Sequence, residues 1–217
     1  MRDSEIQTLL AELFPDQAAV CFSTGQPSES NLLPEELAHT KKMVGVRRLE
    51  FAQGRACARA ALESLGLPPV AIPTGSNREP LWPESVVGSI THTDGAAAAV
   101  VGHGAQFAGL GLDMESAEPL GEDLIELICR PDEEGRKDGK HAKLLFSIKE
   151  AIYKCIYPTV RTFVDFQEMK VEVDSGSHRF AAEAHTPACD QALISRLEGK
   201  FATVGELVVS SAWLPAG

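Results

Sequence analysis

The sequence predicts an α+β fold in two lobes, and three observations carry that expectation. Helical periodicity fills 34–65 and 143–156. Apolar–polar alternation fills much of the last third of the chain. The order of elements fits two sets, each a small sheet with a helix on it, meeting near residue 105, so lobes are expected at 1–105 and 106–217. A chain of 217 residues can bury a core in each.

Taken in order, Ser4 to Phe14 places Ile6, Leu9, Leu10 and Leu13 on one helical face and is ended by Pro15. Gly25 to Asn31 is polar and turn-rich. Pro34 to Leu65 reads as helical, with Leu49, Ala52, Ala56 and Ala60 as its core face and Gly66 and Pro68-Pro69 as its stop. Residues 70–86 hold Pro73, Gly75, Pro80 and Pro83 and read as an irregular loop. Val86 to Thr93 is a short strand with a turn at Asp94-Gly95; Ala96 to Val101 can pair back on it, and Gln106 to Asp113 supplies another strand. A charged insertion, 116–142, carries a short helix at Glu122 to Cys129. Lys143 to Ile156 is helical and stops before Pro158. Lys170 to Val173, Phe180 to Ala184 and Leu207 to Trp213 alternate as antiparallel strands do.

Composition narrows the function. Hydrophobic residues make up 44% and charged residues 24%, as in a globular chain. No apolar run approaches the roughly 20 residues of a membrane span, and Met1 to Phe14 has no basic region ahead of an apolar one. The five cysteines are scattered, without a C-x-x-C, so neither a zinc site nor a disulfide framework is indicated and the cytoplasm is the expected location. A net charge of −11 speaks against general nucleic-acid binding. Basic residues nonetheless bunch at Lys41 to Arg59 and Arg136 to Lys154, which suits a small polyanion held locally.

Three stretches could carry chemistry. Gly109-Leu110-Gly111-Leu112-Asp113-Met114-Glu115 is an apolar strand ending in two acids on one face, with Met114 turned away. The pair is either solvated or holds a cation, and Met114→Ala is expected to keep most activity. In Phe146-Ser147-Ile148-Lys149-Glu150-Ala151-Ile152-Tyr153-Lys154, Glu150 and Lys154 share a helix face. A surface ion pair would explain them, but the helix is apolar nearly all round, and charges on a buried helix need partners. Gly88-Ser89-Ile90-Thr91-His92 is a strand with alternate hydroxyls that delivers a histidine at its end. Arg48, Arg55 and Arg59 form a stripe on the preceding helix, which read alone is a solvated basic face.

In order and spacing these stretches resemble the three motifs of the Sfp-type 4′-phosphopantetheinyl transferases. Arg47-Arg48-Leu49-Glu50-Phe51 through Gly54-Arg55-Ala56-Cys57-Ala58-Arg59, with Glu79-Pro80-Leu81-Trp82-Pro83, look like the branch that serves enterobactin-like siderophore synthetases. The resemblance covers about residues 40–160. It implies two similar lobes related by a pseudo-twofold, with the active site where they meet. The implied reaction moves the 4′-phosphopantetheine arm of coenzyme A to a serine of an apo acyl or peptidyl carrier protein and releases adenosine 3′,5′-bisphosphate. Siderophore, non-ribosomal peptide or polyketide synthesis would use it.

By the same resemblance, Asp113, Glu115 and Glu150 hold Mg²⁺, and Glu150 deprotonates the serine directly or through a water on the metal. Lys154 and Lys149 face the diphosphate. Arg48 and Arg55 take the 3′-phosphate, with His92 and Arg78 on phosphates and the hydroxyls of Ser89 and Thr91 at the coenzyme. Ser76-Asn77-Arg78 departs from the family's commoner Gly-Lys-Pro. A monomer is expected, with coenzyme A and a carrier as partners and neither membrane nor nucleic acid. A Mg²⁺-dependent coenzyme A hydrolase and a non-catalytic carrier-binding module are the alternatives.

Overall fold

The structure, a computed structural model, describes residues 3–25, 28–41, 43–93 and 95–217, with the backbone alone of Gly135 and Lys137. Asp94 of the expected turn and Lys42 of the first basic cluster lie outside the described residues. The elements are α1 (Asp3–Glu12), β1 (Ala19–Ser23), α2 (Pro34–Leu37), α3 (Gly45–Ser64), β2 (Val86–Thr93), β3 (Ala96–His103), β4 (Phe107–Ser116), α4 (Glu122–Ile128), α5 (Gly139–Val160), β5 (Met169–Asp174), β6 (Arg179–Ala184), α6 (Gln191–Ile194), β7 (Glu198–Val204) and β8 (Leu207–Pro215). One antiparallel sheet runs β1-β3-β2 and the other β4-β8-β7-β6-β5. The long helix α3 packs on the first and α5 on the second. The α+β class is therefore as expected. Both halves put one long helix on an antiparallel sheet, and they differ in strand number.

Four local readings change. The helical stretch from Pro34 breaks after Leu37, and α3 starts afresh behind an extended Val44. Its core face is also turned: Ala52, Ala58, Ala61 and Leu62 are fully buried, while Leu49, Ala56 and Ala60 are only half-buried. Strands β1 and β7 have no counterpart among the elements expected from the sequence. Finally, α5 continues through Pro158. A proline costs a helix one N–H bond to the carbonyl four residues back. Here that carbonyl belongs to Lys154, close to the end, and the helix closes three residues later on Arg161 in a left-handed cap (φ 54°) whose N–H returns to Tyr157. The loss is confined to the last turn.

Strand β3 is apolar from Ala96 to Gly102 because it is covered on both faces there. Ala97, Ala99 and Val101 meet α3, while Ala98 and Val100 join a central core with Leu10 of α1, Leu110, Leu112 and Met114 of β4, and Trp213 of β8. That core belongs to both sheets. The helix α1 is tied to both as well. The side-chain amide of Gln7 donates to Val20 O (2.6 Å) and accepts from the Phe22 N–H (2.6 Å), filling the open edge of β1. Lys200 Nζ and Ser211 Oγ donate to the carbonyls of Glu12 and Leu13, each at 2.8 Å.

Where the lobes meet, β2 and β4 run beside each other without sharing a ladder among the described residues. Hydroxyls join them instead. Ser89 Oγ donates to Leu112 O (3.4 Å), and the Met114 N–H donates to Thr91 Oγ1 (3.2 Å).

Candidate active site

The acids of β4 owe their setting to two glycines. Alternate residues of a strand face opposite ways, so Gly109, Gly111, Asp113 and Glu115 share the face toward α5, and Leu110, Leu112 and Met114 face the central core. A Cβ at Gly109 would collide with the carbonyl oxygen of Cys155, and one at Gly111 with that of Ala151. Their absence lets α5 lie directly on the strand backbone. One turn further along, this close approach brings Lys154 to Asp113: Nζ donates to Asp113 Oδ1 (2.7 Å) and to Leu112 O (3.2 Å).

Asp113 is 3% exposed, and Thr91 Oγ1 lies 3.4 Å from the same Oδ1. Burial pushes the Glu150 carboxyl above the usual carboxylate range; Lys154 offsets part of that and Asp113 adds to it. Glu115 is raised by burial and then by Asp113, while Lys143, 3.5 Å away, pulls the other way. Both Glu115 and Glu150 thus feel the charge of Asp113. Among the described residues no three of His, Cys, Asp and Glu stand together as a ready metal cage, so the trio expected from the motifs is not closed up. Its chemistry still suits a hard divalent cation, for Asp113 Oδ2 is buried without a hydrogen-bond partner and two further carboxylates crowd the same charge.

Across the seam, His92 stands at the end of β2 with Arg47 against its Nε2 and Glu50 Oε2 3.7 Å from its Nδ1. Burial and then Arg47 lower its pKa, and its nearness to Lys154 and Asp113 is felt as well. Arg47 and Glu50 belong to the segment that carries the family resemblance, but the sequence assigns neither a role at the site. That stripe is not a solvated face. Arg48 pairs with Glu29 (3.3 Å) and its Nε is buried without a partner. Arg55 is buried, donates to Ile72 O (2.8 Å) and Thr74 Oγ1 (3.1 Å), and lies over the Phe51 ring; desolvation lowers its pKa to about 10. Arg59 is bound to the fully buried Glu36 (2.6 Å). Arg47 is the chain neighbour of Arg48, about 100° around α3 from it, while Arg55 and Arg59 lie more than two and three turns further on, so a spacing of seven and four does not by itself tell outward from inward.

Lys149 is a correction. It is 3% exposed and gives its three N–H bonds to Glu133 Oε2 (2.8 Å), Ile128 O (2.8 Å) and Phe166 O (2.9 Å), leaving none for a phosphate. Glu133 in turn accepts the N–H groups of Arg130 and Val171, so this lysine fastens the insertion to the second lobe. Ser89 and Thr91 are also buried, their hydroxyls engaged between the strands. Arg78, on an exposed loop with φ 69°, lines a cavity of about 470 Å³ together with Trp82, Ser89, Tyr153 and Lys154.

A seam that gathers carboxylates, a lysine and Arg47 beside a cavity of that size has the chemistry that would suit a phosphate-rich substrate. Two family models match the chain: the 4′-phosphopantetheinyl transferase N-terminal domain over residues 34–102 and the 4′-phosphopantetheinyl transferase superfamily over 109–204. Svp of Streptomyces mobaraensis, a 4′-phosphopantetheinyl transferase, is 36% identical over 94% of this chain and 88% of its own length. Npt of Nocardia iowensis, another 4′-phosphopantetheinyl transferase, is 38% identical over 74% of this chain and 78% of its own. Enterobactin synthase component D of Salmonella typhi, from the branch expected from the arginine segment, is 30% identical over 61% and 57%. The chain belongs to the 4′-phosphopantetheinyl transferase superfamily.

Proposed function

We propose that this protein transfers the 4′-phosphopantetheine arm of coenzyme A to a serine hydroxyl of an apo carrier protein, releasing adenosine 3′,5′-bisphosphate. The observation that carries the reading is the Lys154–Asp113 contact at 2.7 Å, with Glu150 on the same helix face. It puts a fixed cation and a carboxylate of raised pKa at one seam.

In this reading Lys154, held by Asp113 and Leu112 O, offers its remaining N–H to the diphosphate, where charge builds as the bond breaks. His92 and Arg47 supply cationic and hydrogen-bonding groups from the first lobe for a phosphate of the nucleotide half. Glu150 accepts the serine proton, directly or through one water, as the serine oxygen attacks the β-phosphorus. The bond from that phosphorus to the bridging oxygen breaks, and adenosine 3′,5′-bisphosphate leaves with the electron pair. Asp113, Glu115 and Glu150 would hold Mg²⁺, which when bound neutralises diphosphate charge. Both walls of the seam come from one chain, which supports action as a monomer. Five free cysteines suit the reducing cytoplasm, and no helix among the described residues is long and apolar enough to cross a membrane.

The test is incubation with coenzyme A, Mg²⁺ and a panel of apo carriers from siderophore, peptide and polyketide synthesis, read by intact mass. Addition of one phosphopantetheine group, abolished by a chelator and restored by Mg²⁺, is expected. Adenosine 3′,5′-bisphosphate released without a carrier would instead mark a hydrolase. No addition to any carrier would overturn the reading.

A further inference from the structure

We propose that Asn77 and Tyr157 form a latch between the lobes, and that this latch positions the loop at 75–80 over the nucleotide half of coenzyme A. The inference rests on the coenzyme A reading above and adds two positioning residues to it. Asn77 Nδ2 donates to the Tyr157 hydroxyl at 2.7 Å, joining residues 80 apart in the chain. Asn77 belongs to the first lobe and Tyr157 to the last turns of α5, and both line the 470 Å³ cavity that also takes in Ser89 and Lys154. The contact therefore spans the same space that the seam chemistry opens into.

Each side of the latch is stiff. On the loop, the Gly75 N–H donates to Glu79 O (2.8 Å), Glu79 Oε2 accepts the Asn77 N–H (2.9 Å), and Thr74 bridges to Pro80. A Cβ on Gly75 would meet the Glu79 carboxylate that accepts the Asn77 N–H, so a larger residue there would have to push that carboxylate aside. Arg55 holds its base through Ile72 O and Thr74 Oγ1. Opposite, Tyr157 is buried, with its ring 5.6 Å from that of Tyr153. A stiff loop meeting a fixed phenol through one hydrogen bond sets the distance between the cavity walls. The loop tip itself, Asn77 and Arg78, is exposed, so little of the core depends on the contact.

The experiment uses the full chain as wild type, Tyr157→Phe, Asn77→Ala and the double variant. Coenzyme A affinity is measured by calorimetry, carrier loading gives KM and kcat, and 4′-phosphopantetheine, which lacks the nucleotide, serves as a competitor. Each single change should raise Kd and KM for coenzyme A about three- to tenfold, the worth of one hydrogen bond. The double variant should add nothing further, kcat should stay within about twofold, and the inhibition constant of 4′-phosphopantetheine should not move. Variants equal to wild type in coenzyme A affinity, independent effects in the double variant, or equal weakening of 4′-phosphopantetheine would each overturn the latch. A wild type that neither binds coenzyme A nor loads any carrier would sink the parent reading and the latch together.

Discussion

Adding one methyl group at Gly111 separates two opposing expectations. By chain entropy alone, glycine to alanine stabilises a protein by about 0.4–1 kcal/mol. At Gly111, however, the new Cβ would overlap the Ala151 carbonyl oxygen and stand 2.9 Å from both the Ala151 carbonyl carbon and the Cys155 nitrogen. These are backbone atoms of α5 and cannot rotate aside. Overpacking of this kind costs about 1–3 kcal/mol, and at about 2–4 °C per kcal/mol for a chain of this size the melting temperature should fall by several degrees. Activity should fall further than stability. Relief of the clash moves α5 off β4, and α5 carries Glu150 and Lys154; a displacement of about 1 Å at a reacting site can cost roughly a hundredfold. The assays are a thermal melt and initial rates of carrier loading below the melting transition. Gly45→Ala is the control, because no atom lies within 4 Å of its Cβ position, and it should melt at or slightly above wild type. A Gly111→Ala protein that melts and turns over like wild type would refute the argument that this glycine exists to admit the helix.

Adjacent positions on β4 should part company. Asp113→Ala should lose at least about a hundredfold in loading rate, with coenzyme A bound more weakly as Lys154 loses its anchor. Met114→Ala should keep its rate per folded molecule yet lose about 2–5 kcal/mol, because Met114 is fully buried in the central core; equal losses in both assays would contradict the division of faces. Lys149→Met should cost about 3–5 kcal/mol in denaturant unfolding by stranding the buried Glu133 charge, with KM for coenzyme A unchanged in the folded fraction. A raised KM with unaltered stability would return Lys149 to the phosphates. Arg47→Ala should raise KM for coenzyme A about tenfold while leaving that for 3′-dephospho-coenzyme A nearly alone, and Arg48→Ala should do less. The reverse order would move the anion site to the Arg48 side of α3.

What the sequence made readable was the part written in short periods. The acids on one face of β4, the Glu150–Lys154 turn of α5 and the hydroxyls of β2 were all visible from alternation or helical spacing, and the structure brings them to one seam. Roles that depend on depth were hidden. Lys149 and Glu150 are neighbours in the chain, yet one is consumed by an internal ion pair and the other faces the seam, a difference that lies in the insertion folded over Lys149. Thr91 was read as a coenzyme contact, but its hydroxyl is taken up by the Met114 N–H and Asp113. The sequence assigns Gly109 and Gly111 no purpose, and theirs lies in a helix about 40 residues downstream. Among helix boundaries, Pro158 misled because its cost depends on how close the helix end already is.

The central core has a consequence for how this molecule can be divided. Met114, Val100, Leu10 and Trp213 pack together, though they come from the beginning, middle and end of the chain. A cut near residue 105 would thus open the central core in both pieces, and neither piece should be soluble alone at working concentrations. Mixed, the two pieces carry matching surfaces, with α1 on one reaching for Lys200 and Ser211 on the other. The protein is suited to being expressed as a split pair whose reunion switches on carrier loading.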